Sequence, residues 1–142
     1  NISKQKDTLD NLLGVVTIVL SAIAAVSLVV AGLGIMTVMI VSVNERTREI
    51  GIKKSIGATR RTILLEFLIE AFTISLIGSI MGVAAGLALV WAGCALIGVA
   101  MSVNPALIAV SVALTVGIGM VFGVYPATVA ARLRPVDALR TE

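Results

Sequence analysis

Two carboxylates four residues apart, Glu66 and Glu70, are the only acids set inside the long apolar runs of this chain. That spacing puts them on one helical face, and ionisable groups within a membrane span normally face protein or a water-filled cavity. A proton relay needs further intramembrane acids, and the sequence has none. Paired carboxylates for hydrolysis need a nucleophile or a metal beside them. The chain has no histidine and a single cysteine, Cys94, so neither an activated thiol nor a metal site is expected. The nearest approach to a phosphate-binding glycine loop, Gly51 to Gly57, has the wrong spacing and no Lys-Ser after it. No catalytic residue is assigned. Glu70 is the intramembrane acid candidate, about one helical turn (~5.4 Å) deeper than Glu66. Glu66 is expected at headgroup level near Arg60 or Arg61.

The other chemically rich stretch is Asn44 to Arg61, which holds Arg46, Arg48, Lys53, Lys54, Arg60 and Arg61 against only Glu45 and Glu49. Short basic loops beside membrane spans stay cytoplasmic. Glu45, Glu49, Ile52 and Ile56 share one helical row, and Arg46, Ile50, Lys53 and Gly57 share a second. Glu49 stands four residues before Lys53, the favourable order for an ion pair. The reading is a short amphipathic helix, roughly Glu45 to Ile56, closed by Gly57, with Thr59 capping the next helix. A plain topology-setting loop is the alternative, but its apolar row would then have no purpose.

These elements belong to a membrane protein. The chain of 142 residues is 58% hydrophobic and 13% charged, with a mean hydropathy of +1.10, outside the soluble range. Basic residues flank the apolar runs, which suits anionic membrane lipids; nucleic acid is not expected. Residues 1–43 give an outer stalk start and a first transmembrane helix, whose uncharged run from Leu12 to Val43 would extend roughly 48 Å as a helix. Residues 44–62 form the cytoplasmic loop, and 63–91 the second span. The latter carries Gly78, Gly82 and Gly86, extended by Ala71, Ser75 and Ser79, a small-residue face suited to close helix packing. Residues 92–105 are an uncharged outer loop, with Trp91 as interface anchor and Asn104-Pro105 as a turn. Residues 106–125 form the third span, closed by Pro126, and 126–142 a cytoplasmic tail with a short helix stopped by Pro135. The fold expected is all-α, integral to the membrane, with three transmembrane helices and the N-terminus outside. All basic residues except Lys4 and Lys6 then lie inside. A start at Asn1 suggests a piece of a longer protein.

Two long motifs, RTREIGIKKSIGATRRTILLEFLIEA at 46–71 and GVYPATVAARLRPVDALRTE at 123–142, resemble the FtsX-like permeases of ABC transporters, especially the MacB-type branch. The resemblance implies the C-terminal three-helix part of a permease in the bacterial cytoplasmic membrane, preceded by a further helix and an extracytoplasmic domain. It implies that the short basic helix is the coupling helix on a separate nucleotide-binding ATPase, which would hold the ATP and magnesium. Ile50, Ile52 and Ile56 would be its apolar key, Arg46, Arg48, Lys53 and Lys54 would pair acids on the ATPase, Glu49 would orient Lys53, and Gly57 would make the turn. A second permease copy or paralogue, and an extracytoplasmic adaptor, are the other implied partners. Export or extraction by mechanotransmission is the implied activity. A transducer controlling cell-wall hydrolases, as in the FtsX division proteins, and a small oligomerising membrane protein are the alternatives.

Overall fold

The computed structural model describes residues 1–140, without the side chains of Asp137 and Ala138. Among the described residues five helices follow in order: α1 (Ile2–Glu45), α2 (Thr47–Ser55), α3 (Arg60–Ile97), α4 (Pro105–Ala131) and α5 (Pro135–Arg140). Helices α1, α3 and α4 are long and apolar enough to cross a membrane. Apolar solvent leaves an isolated backbone no other means of satisfying its amides than helix. Several hydroxyls in the long helices are satisfied within their own helix: Thr17, Thr37, Thr73, Ser111 and Thr115 each donate to the carbonyl four residues back.

The helices run past the expected spans, and local signals stop them. Gly98, at φ 81°, turns the end of α3, with its amide and that of Val99 both donating to the Cys94 carbonyl. Asn104 caps α4 through Oδ1, which accepts from the Ala106 amide at 3.0 Å, with Pro105 at the first helical position. The expected outer loop thus shrinks to residues 98–104.

Pro126 does not end the helix of the third span: α4 continues through it to Ala131. One missing amide bond does not break the helix here, because Pro126 is wholly buried and held by its neighbours. The helix expected at 127–133 is therefore the end of α4. Pro135 does not stop a helix but starts α5, its missing N–H being one that a first turn leaves unpaired anyway.

The chain divides into two compact units, residues 1–31 and those from Gly32 onward. The first is helical and, apart from Leu28, exposed along its length. The second contains the core: Met39 and Val43 of α1, Ile50 of α2, Ile63, Phe67 and Ala71 of α3, and Ala127 and Ala130 of α4. Lipid tails are as apolar as leucine, so helices associate there through close contact, which small residues allow. Along α3, Ala71, Ser75 and Ser79 are buried. Ser75 lies against Gly119, and a Cβ added at Gly123 would come within 2.5 Å of the Ala71 Cβ. On α1, Gly32 accommodates the Phe122 ring in the same manner. By contrast, Gly78, Gly82 and Gly86 have no neighbour within 4 Å of an added Cβ. The small-residue face is thus used on its Ala71–Ser79 portion, while the glycine ladder itself lies open in this chain.

This contrast predicts the outcome of substitution. Gly123→Val is expected to lower stability by about 1–3 kcal/mol through overpacking. Gly82→Ala is expected to stay within about 0.5 kcal/mol of the parent. Reversible unfolding in detergent micelles by dodecyl sulfate titration measures both.

Candidate functional site

The site is built around α2, a nine-residue helix set between the end of α1 and the start of α3. A single residue outside the helices, Arg46 (φ −100°, ψ 14°), separates α1 from α2, so the helix expected from Glu45 to Ile56 is observed as Thr47–Ser55. Gly57, at φ 117°, turns the chain beyond its end, and Thr59 Oγ1 accepts from the Thr62 amide at 3.3 Å to start α3.

Its inner side is fastened to the rest of the protein by three kinds of contact. Ile50, 3% exposed, enters the core. An ion-pair network joins α2 to α3: Lys53 Nζ donates to Glu66 Oε1 at 2.7 Å and lies 3.5 Å from Glu49. Arg46 reaches Glu49 at 3.4 Å, Glu66 at 3.6 Å and Glu70 at 3.4 Å. Its guanidinium also stands 5.6 Å from the centroid of the Phe67 ring. Third, Lys54 Nζ donates to the carbonyls of Ala131 and Leu133, where α4 ends. A helix C-terminus carries partial negative charge, so a cation there is favourable.

These pairings shift the titrations outside the spans. The Glu49 carboxyl is held below its ordinary range, chiefly by the Arg46 hydrogen bond and then by the charges of Arg46 and Lys53. The Lys53 ammonium is raised by its hydrogen bond to Glu66, against a smaller opposing effect of burial. Burial, followed by repulsion from Arg60, lowers Lys54.

The outer side of α2 is different. At about 100° per residue, Arg48, Ile52 and Ile56 fall within an arc of roughly 80° centred opposite Ile50. All three are exposed, Ile52 by 43% and Ile56 by 82%.

The residues singled out from the sequence therefore divide into two groups. Arg46, Glu49, Ile50, Lys53 and Lys54 are engaged within the chain, whereas Arg48, Ile52 and Ile56 are turned outward. Glu66 pairs with Lys53 and Arg46, not with Arg60 or Arg61. Ile50 cannot belong to an outward apolar key, because its side chain fills the core. The stacking partner Phe67 has no signature in the sequence, since nothing in local spacing links positions 46 and 67. Among the described residues no cluster of His, Cys, Asp or Glu could hold a metal ion.

Residues 12–135 match the model of the FtsX-like permease C-terminal family. The chain belongs to the FtsX-like permeases. It is 42% identical over 142 residues to the macrolide export ATP-binding/permease protein MacB of Bdellovibrio bacteriovorus, covering 100% of this chain and 22% of that protein. It is 51% identical over 126 residues to MacB of Rhodopirellula baltica, covering 84% and 18% respectively. With the uncharacterized ABC transporter permease YknZ of Bacillus subtilis it shares 45% over 133 residues, 90% of this chain and 32% of that one. The chain thus spans between 18% and 32% of these relatives' length. The family match, together with three helices long and apolar enough to cross a membrane, makes it a membrane protein.

The network has a direct consequence for pH. A lowered carboxyl contributes stability that is complete above the ordinary glutamate value of 4.5 and is lost as pH falls through the shifted one. A spin label at Ser55→Cys, with Cys94→Ser, should gain mobility as pH drops below about 4.5. Glu66→Gln should loosen α2 at neutral pH by about 0.2–1 kcal/mol for each half-exposed pair lost, read as faster amide exchange in α2.

Proposed function

We propose that this chain is the force-transmitting membrane part of an ABC transporter permease, and that α2 is its coupling helix. The outer arc of Arg48, Ile52 and Ile56 docks on a separate nucleotide-binding ATPase, which binds ATP and magnesium. The carrying observation is the two-sidedness of α2: apolar residues exposed outward, and an inward side tied to both α3 and α4.

The mechanism rests on where the ties go. ATP shifts the permease only if closure of the ATPase is felt differently in two permease states. A push on Ile52 and Ile56 is carried inward through Ile50 to the core. It reaches α3 through Lys53 and Arg46, and α4 through Lys54. Because α1 enters α2 through one residue, the same push also bears on the end of α1. Glu49 orients Lys53 and Arg46 instead of meeting the partner. Gly57 lets the chain reverse into α3.

In this reading the basic end of the helices is cytoplasmic, the membrane is the bacterial inner membrane, and the permease works beside a second copy or paralogue. An extracytoplasmic adaptor is a further partner by the same reading. Export or extraction of a substrate is the activity, supported by relatives that carry macrolide export in their names. Glu66 and Glu70 act as anchors for α2, not as a proton path.

Ile52→Asp together with Ile56→Asp in the full-length permease should abolish co-purification with the ATPase and reduce stimulated ATP turnover at least tenfold, with membrane insertion intact. Ile50→Ala should instead lower stability by about 2–5 kcal/mol as a buried large-to-small change. Unchanged ATPase binding in the double aspartate variant would refute the docking role of α2.

A further inference from the structure

A second face of the same end of the protein is charged and unused by the ion-pair network. Between the end of α2, the start of α3 and the α4–α5 turn lies a cleft of about 230 Å³, lined by Lys54, Arg60, Arg132, Leu133, Arg134 and Pro135. Four of these carry positive charge. Arg60, Arg132 and Arg134 are exposed. None of the four takes part in an ion pair among the described residues, whose three engaged acids are Glu49, Glu66 and Glu70. Cations that repel one another around a cleft favour an anion between them. Burial, and after it repulsion from Arg60, holds the Lys54 ammonium below its ordinary range.

We infer that this cleft is a binding site for the headgroup phosphate of an anionic phospholipid. Three features favour a phosphate. Guanidinium groups give it paired, charge-assisted hydrogen bonds. Arg60 begins α3, a helix of 38 residues, whose N-terminus adds partial positive charge. Lys54 covers the carbonyls of Ala131 and Leu133, so the negative end of α4 does not oppose the anion.

Two further features favour a lipid over another anion. The cleft stands at the ends of two membrane-spanning helices, where headgroups lie, and basic pockets between such helices suit anionic lipids. Leu133 and Pro135 supply an apolar wall that a glycerol backbone can use. An acidic protein surface is less suited. Lys54 lies roughly 160–200° around α2 from Ile52 and Ile56, so the cleft faces away from the exposed apolar arc. The inference holds whether or not an ATPase docks on that arc.

The test uses the full-length permease reconstituted with phosphatidylcholine and phosphatidylglycerol, then extracted, with retained lipid quantified by native mass spectrometry. Phosphatidylglycerol should be enriched over its bulk fraction. Arg132→Gln with Arg134→Gln should reduce that enrichment by about fivefold for each arginine removed. Arg61→Gln with Arg140→Gln, an equal charge loss outside the cleft, should retain it. Equal enrichment in the two double variants would overturn the site, as would equal retention of both lipids. Loss of ATPase co-purification on Arg132→Gln and Arg134→Gln, with phosphatidylglycerol retention unchanged, would reassign the cleft to an acidic protein surface. Displacement of the lipid by excess inorganic phosphate, without preference between the two lipids, would reassign it to a soluble anion.

Discussion

The close approach of α3 and α4 sets every other distance in the functional end of this protein. Ser75 lies against Gly119 and Ala71 against Gly123, with no room for another methyl group. In an apolar solvent this contact has to be made by fit, because removal of apolar surface from water cannot drive it. Once made, it places the start of α3 beside the end of α4. Glu66 and Glu70 on one helix, and the carbonyls of Ala131 and Leu133 on the other, then become two anchor points at fixed separation. Helix α2 is short because it has only to bridge them.

Charge is sorted around that bridge. The acids lie on the side where Arg46 and Lys53 meet α3, and cations with no ion-pair partner among the described residues lie where Lys54 meets α4. Half-exposed ion pairs are individually weak, but three carboxylates sharing two cations define one orientation of α2 better than any single pair would. The outward arc of Arg48, Ile52 and Ile56 is a consequence of that orientation. In the proposed coupling role such an arc need not be flexible to transmit force; it needs an inner side tied to elements that move. Here the ties are Ile50 in the core, the network on α3 and the lysine on α4.

Much of this end is legible as local pattern. Thr59 as cap, Gly57 as turn and the Glu49–Lys53 pair all depend on neighbours within four residues, which spacing alone reveals. Asn104-Pro105 has the signature of a turn and is in fact the cap and first residue of α4, a different outcome from the same turn chemistry. Where sequence and structure part, the cause lies in more distant neighbours. Pro126 has the signature of a helix end because proline removes an amide donor, yet burial holds α4 through it. The cations nearest Glu66 in sequence are Arg60 and Arg61, whereas Lys53 reaches it across the Gly57 turn. Ile50 and Ile52 are equivalent in composition, although one is in the core and the other outside.

By itself, then, the sequence determined a helical membrane protein of the FtsX-like permease family, with three helices long and apolar enough to span and a short basic helix between the first two. Span length, charge placement and the two long family motifs are properties of contiguous residues, and a membrane leaves such stretches little choice but helix. Only the tertiary structure decided which residues of that short helix are anchors and which are free. It also decided that Ser75, not the Gly78–Gly86 ladder, meets the neighbouring helix, and that Arg60, Arg132 and Arg134 converge with Lys54 on one cleft. The reason is physical. A helical pattern says which residues share a face, but what covers that face depends on where two other helices come to rest against each other.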